Sequence, residues 1–246
     1  MQTLSLVLSV ATAFCTLGFT SPQQEKPADS LTLESVLQTM DTAAANFHTT
    51  QAEFEWDSYE KVIDEVDEVQ TGTIYFRRAG KDIEMMAEVK MAGPDLKQLK
   101  QERKYVLYSG GEISIYQPKI DQVTVYDLGK NKVDLESYVV LGFGGSGHDL
   151  AKSFDVTYVG PETIDGAATA QLQLIPKSEK VRNNYNKILL WIDLNKGISL
   201  QQQFFSPQGD YRLTKYTSIQ LNERKIPDDV FKLKTNGKTK TLSPKG

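Results

Sequence analysis

The stretch 69–128 most constrains the fold, because its apolar residues recur at every second position rather than every third or fourth. In VQTGTIYFRRAGKDIEMMAEVKM, Ile74, Phe76 and Arg78 share one face of a strand, and Thr73, Tyr75 and Arg77 share the other. Ile83, Met85, Ala87, Val89 and Met91 then fall together, opposed by Glu84, Glu88 and Lys90 with Met86 as the exception. Gly110-Gly111 and Gln117-Pro118 divide the remainder into Tyr105–Tyr108, Ile113–Tyr116 and Val123–Tyr126, each short, β-branched or aromatic, and bounded by turn formers. The pattern predicts a long antiparallel meander. The rest of the chain must extend that sheet or cover its apolar face.

Upstream, Leu33, Val36, Leu37, Met40, Ala44 and Phe47 recur at helical spacing, which predicts an amphipathic helix over about 31–47 with Ser30 or Thr32 as its cap. Phe54 and Trp56 alternate with Glu53, Glu55 and Asp57 in a first strand over 50–60. The acidic run from Asp57 to Glu68 lacks the central glycine and ligand spacing of a calcium loop, so it reads as a solvated hairpin tip. A second helix is expected over 132–141 and a further helical turn over 149–154. Strands return at 155–160, 168–174, 187–193, 198–205 and 211–221, the last with Tyr211, Leu213 and Lys215 assigned to the apolar face. Ile226 to Phe231 offers one more anchor. The whole is mainly β: an open, incomplete antiparallel barrel of about eleven strands with a helical lid.

Residues 142–147 formally match G-x-G-x-x-G, but a dinucleotide site needs that loop between a parallel strand and a long helix. They read instead as a flexible hinge between covering elements. Ser146 and His148 lie beside that loop without the spacing of a nucleophile elbow, and no catalytic set is assigned. The single cysteine, Cys15, and two separate histidines, His48 and His148, exclude a cysteine-based metal centre, so no metal and no cofactor are expected. A net charge of −4 gives no basic footprint for nucleic acid or an anionic membrane.

Residues 1–20 are an apolar run with the look of a secretory signal, although no Lys or Arg precedes its core. Cys15 within it could serve as a lipidation site, but the preceding Phe14 is bulky for that signal, and loss with the signal is the plainer reading. Residues 21–30 read as a flexible linker, 31–235 as one domain, and 236–246 as a disordered tail. The concave face of the sheet should be lined by Phe54 and Trp56 from the first strand, and by Ile74 and Phe76 from the next. Met85, Val89 and Met91 follow, then Ile113, Ile115 and Val123, and finally Leu172 and Leu174. Methionine adapts to irregular apolar ligands, which favours binding at this face.

The order of motifs resembles the periplasmic outer-membrane lipoprotein carrier family, the LolA-like proteins. Gly72-Thr73-Ile74-Tyr75-Phe76-Arg77-Arg78 resembles its first strand motif, and the run from Ser109 to Pro118 with Gln122-Val123-Thr124 its hairpin. Leu172 to Lys177, Leu190 to Asp193 and Ile226 to Phe231 resemble its later landmarks, so the likeness spans 31–235. The resemblance implies an open barrel whose cavity accepts acyl chains of a lipoprotein or another lipid, without catalysis. It implies a monomer in the periplasm that takes cargo from an inner-membrane release complex and gives it to an outer-membrane acceptor. The family arginine that holds the lid falls on Arg78. Ala79 departs from the usual proline, and 139–153 and 177–187 look long. The alternatives are a lipid- or lipoprotein-sensing module, and a lipid enzyme, which would need paired carboxylates or a nucleophile and base where parity puts only Arg78 and Lys215.

Overall fold

The computed structural model describes residues 31–80, 82–127 and 141–244. Helix α1 (Leu33–Ala45) starts at Thr32, whose hydroxyl accepts from the Ser35 amide while Ser35 Oγ accepts from the Thr32 amide. This reciprocal capping box satisfies two amides that the helix cannot. Its buried side chains, Val36, Leu37, Met40 and Ala44, recur at turn spacing and fix which side faces the sheet.

Twelve strands are seen among the described residues. The first six are β1 (Thr49–Glu60), β2 (Glu65–Ala79), β3 (Asp82–Gly93), β4 (Lys100–Ser109), β5 (Glu112–Gln117) and β6 (Gln122–Asp127). Helix α2 (Gly147–Ser153) precedes β7 (Phe154–Ile164) and β8 (Ala167–Pro176). A single turn α3 (Glu179–Arg182) interrupts the polar loop before β9 (Lys187–Asp193), β10 (Ser199–Phe205), β11 (Tyr211–Leu221) and β12 (Lys240–Leu242). Their spatial order is β12-β6-β5-β4-β3-β2-β1-β11-β10-β9-β8-β7. Each half is thus a hairpin-linked meander, and the antiparallel β1–β11 pair joins them. The edges β7 and β12 do not pair, which leaves the barrel open. This is the open, mainly antiparallel barrel expected, with twelve strands among the described residues where about eleven were expected. The helix expected over 132–141 lies outside the described residues, apart from Leu141.

The extra strand comes from the tail that was expected to be disordered. Lys240–Leu242 pair in parallel with β6, and Asp121 holds them. Its carboxylate accepts from the Thr239 hydroxyl at 2.8 Å and the Asn236 side-chain amide at 3.2 Å, and its carbonyl accepts from the Lys240 amide. A polar tether of this kind leaves no trace in composition.

The inner face of the sheet carries two packed clusters. Val36, Leu37 and Met40 of α1 sit on Leu172, Leu174 and Leu190 of β8 and β9. Phe47, just beyond α1, packs with Phe54, Ile74, Phe76 and Val89. Each fully buried side chain of this size contributes roughly 1.5–3 kcal/mol by leaving water. On the outer face Met86 lies under Ile226 and Phe231, which explains the one methionine that broke the alternation. Arg77 crosses the Phe231 ring at 4.2 Å and pairs with Glu84, fastening the C-terminal segment. Trp191 of β9 is buried and donates to Glu162.

The loop at 142–147 is not the flexible hinge expected. Phe143 has no exposure, stacks on Phe76 at 4.8 Å and meets Tyr216 edge-on. Gly144 has φ +78°, and a Cβ there would lie 2.6 Å from the Phe47 ring and 2.7 Å from Ile83. The glycine serves close approach in a packed plug.

Candidate functional site

A cavity of about 400 Å³ opens on the concave face, within the size range of ligand pockets. Alternation along β2 and β3 delivers Ile74, Phe76 and Met85 to it, and β4 and β5 add Val106, Ile113 and Ile115. Trp56, Phe204 and Tyr216 close it from the seam between the two meanders. The Tyr216 hydroxyl donates to Gln202 Oε1 at 3.3 Å, and the Gln202 amide donates to the Leu141 carbonyl. Burial pushes the Tyr216 phenol far up, so this wall stays uncharged.

The structure brings six of the twelve expected lining residues together. Trp56, Ile74, Phe76, Met85, Ile113 and Ile115 face the cavity. Phe54 stacks behind Trp56 at 4.2 Å, and Val89 is sealed in the same cluster. Leu172 and Leu174 are on the inner face but covered by α1, so they line no open space.

Two expected residues fall on the outer face. Met91 pairs with Thr71 because a bulge at Lys90 takes one residue out of the β3 ladder, and every side chain beyond it changes sides. Val123 pairs with Tyr116, whereas Thr124 is the residue opposite Ile115, so the turn before β6 sets the opposite parity to the one expected.

A third reversal governs the charges. Lys215 and Leu213 are on the outer face, where Lys215 Nζ donates to Glu55 at 2.6 Å and Asp57 at 3.0 Å. The cavity receives Arg212, Thr214 and Tyr216 from β11 instead. Ser218, at φ +50°, bulges the strand, so Ile219 and Leu221 return to the inner side and the apolar residues 213, 219 and 221 do not share a face. Sequence reasoning therefore missed Arg212, and it also missed Lys104, whose neighbours Tyr105 and Val106 are both apolar enough to set either parity. The bulge-prone Thr-Ser pair at 217–218 was the only available signal.

Arg78 ends the row of Ile74 and Phe76, beyond the cavity floor. Its Nε donates to the Phe47 carbonyl at 3.1 Å, and Nη2 donates to those of Ala44 at 3.1 Å and Gly144 at 3.2 Å. Ala44 belongs to the last turn of α1, whose carbonyls have no partner within the helix. One guanidinium thus ties the helix end and the Phe143 plug to β2.

A second tie joins α1 to α2. Ser146 Oγ donates to Asp41 Oδ1 at 2.5 Å while also capping α2, and His148 bonds Asp41 through Nδ1 and faces Glu34 through Nε2 at 3.3 Å. The serine hydroxyl is engaged by the carboxylate and not by the imidazole, so the three do not form an activated nucleophile. Among the described residues no group of three or more His, Cys, Asp or Glu could hold a metal ion, and no helix is long and apolar enough to cross a membrane.

No protein-family model matches the sequence, and no curated protein matches it. Solved structures do. An uncharacterized conserved protein from Thermus thermophilus superposes with TM-score 0.53 at 10% identity, over 86% of this chain and 98% of that one. MucB in the Pseudomonas aeruginosa MucA/MucB complex gives TM-score 0.46 at 16% identity, over 80% of this chain and 60% of that one. A LolA superfamily protein from Nitrosomonas europaea gives 0.40 at 14% identity, over 83% and 99%. At these identities the likeness is one of fold.

Proposed function

We propose that this LolA-like chain is a periplasmic carrier, which takes the acyl chains of lipoproteins into its cavity and moves them from the inner to the outer membrane. The observation that carries the reading is the cavity of about 400 Å³ on the concave face, walled by Ile74, Phe76, Met85, Ile113 and Ile115. Each buried methylene contributes ~0.8 kcal/mol, so ten carbons would favour binding by roughly 8 kcal/mol before ordering costs. No cofactor or catalytic group enters that step. Release requires a partner that holds the chains more favourably, which is the part of an inner-membrane release complex on loading and an outer-membrane acceptor on delivery. Residues 1–20 would direct export, 21–30 would act as a tether, and 31–235 would work as a monomeric carrier domain.

A sensing module is the second reading. It is favoured by a separate cleft of about 360 Å³ on the outer face, where Tyr75, Tyr105 and Tyr116 meet Arg103 and Lys232, available to a partner while the inner cavity is filled.

Displacement of a fluorescent fatty acid tests both readings. Purified protein should bind one equivalent, and Met85→Asp, which sets a charge on the cavity floor, should abolish binding with the fold retained by circular dichroism. Absence of binding by the wild type, or binding indifferent to Met85→Asp, would sink the acyl-binding reading.

A further inference from the structure

We propose that the cavity selects amphiphiles with an anionic head, a carboxylate or a phosphodiester, held at its mouth by Lys104 and Arg212 while the chain points to Phe76 and Met85. The inference rests on the acyl-binding reading above and adds the ligand's charge.

The mouth is where the outward ends of β1, β4, β10 and β11 meet, and strand parity sorts the charges there. Glu55 and Asp57 of β1 go to the outer face and are occupied by Lys215. Arg212, three residues before Lys215, goes to the inner face and lies over the Trp56 ring at 5.7 Å. Among the described residues it makes no ion pair. Lys104 enters the same cavity from β4, half-buried, and its ammonium donates to a neutral acceptor, Gln70 Oε1, at 2.8 Å. Gln70 in turn donates to Glu68 at 2.6 Å, which holds that carboxylate one side chain away from the ammonium. Glu102, two residues along β4 on the same face, borders the adjoining cleft with Lys104 and, like Glu68, supports the charged amine.

A cation drawn part-way into an apolar pocket is costly unless an anion or water meets it. Burial lowers the Lys104 pKa, the first cause, and the nearby Arg212 lowers it further. Two like charges facing one cavity repel, and a bound anion relieves both at once. The aliphatic stems of Lys104 and Arg212 continue the apolar wall, so head and chain of one ligand meet complementary surface.

The test uses purified protein with the uncharged probe N-phenyl-1-naphthylamine, displaced by palmitate, hexadecanol or lysophosphatidylglycerol below their micelle concentrations. Palmitate should displace the probe at a concentration about tenfold lower than hexadecanol, the scale of one charge-assisted hydrogen bond. Lys104→Met with Arg212→Leu should erase that preference, and Lys104→Arg should keep it. Raised salt should narrow the gap. Preference for lysophosphatidylglycerol over palmitate would assign the site to a phospholipid head, and the reverse to a free fatty acid. Equal displacement by palmitate and hexadecanol, or a preference that survives the double substitution, overturns the inference and leaves the acyl-binding reading standing. Failure of every ligand to displace the probe removes both.

Discussion

The guanidinium of Arg78 spends three hydrogen bonds on carbonyls of Ala44, Phe47 and Gly144, and leucine in its place keeps the bulk without the donors. Arg78→Leu should therefore loosen the end of α1 and the Phe143 plug. Amide exchange should rise in 33–47 and 141–150, while the strands should keep their protection. Unchanged exchange in those two segments would contradict the tie. The contact of His148 with Asp41 predicts a pH dependence. The hydrogen bond to Asp41 raises the imidazole above its ordinary 6.5, so its contribution is complete below that value and is lost as pH rises through the higher folded value. Burial pushes the Asp41 carboxyl up, but hydrogen bonds from Ser146 and His148 outweigh it and hold it below 3.8, so its contribution is lost only as pH falls through the depressed value. The Tm difference between wild type and His148→Gln should then be widest between these limits, near pH 5.5, and should narrow as pH rises through the raised imidazole value. A difference that stays constant over that range would exclude the titration. Arg78 was legible in the sequence because unbroken alternation connects it to Phe76; Arg212 was not, because Ser218 breaks the alternation that leads to it.

Strands and helices were legible where period and caps agree. Residues 33–45 and the β1–β2 hairpin needed only the apolar spacing, Thr32 and the acidic turn. Face assignments failed at Met91, Val123 and Lys215, each beyond a bulge or turn that depends on backbone pairing rather than residue type. Gly72 marks one such place. A Cβ there would lie 1.9 Å from the Glu88 carbonyl oxygen and 3.0 Å from the Phe54 ring, so only glycine lets β3 approach β2 beside its bulge. Gly72→Ala should cost roughly 2–3 kcal/mol in urea denaturation. Gly160→Ala, in β7 with no atom within 4 Å of its Cβ, should change stability by less than about 0.5 kcal/mol. Equal effects of the two substitutions would remove the packing argument for Gly72.

At the scale of the molecule, the open sheet has an edge guarded by three residues of β12 and the hydrogen bonds of Asp121. Deleting 236–246 should speed exchange in β6 and promote self-association, read by light scattering, because a bare edge pairs with other chains. A truncated chain that stays monomeric with β6 fully protected would show that the tail contributes nothing there. The seam has a different consequence. Every antiparallel pair except β1–β11 joins strands consecutive in the chain, whereas Glu55 and Lys215 at the seam are 160 residues apart. Two local meanders can each form quickly, and the seam closes one long loop between them. Helix α1 precedes the first meander yet packs on the second, so its docking belongs to the same event. As the chain is made from its N-terminus, the free edge of β1 and the apolar stripe of α1 must wait for β11, and over that interval a holding chaperone has its clearest target.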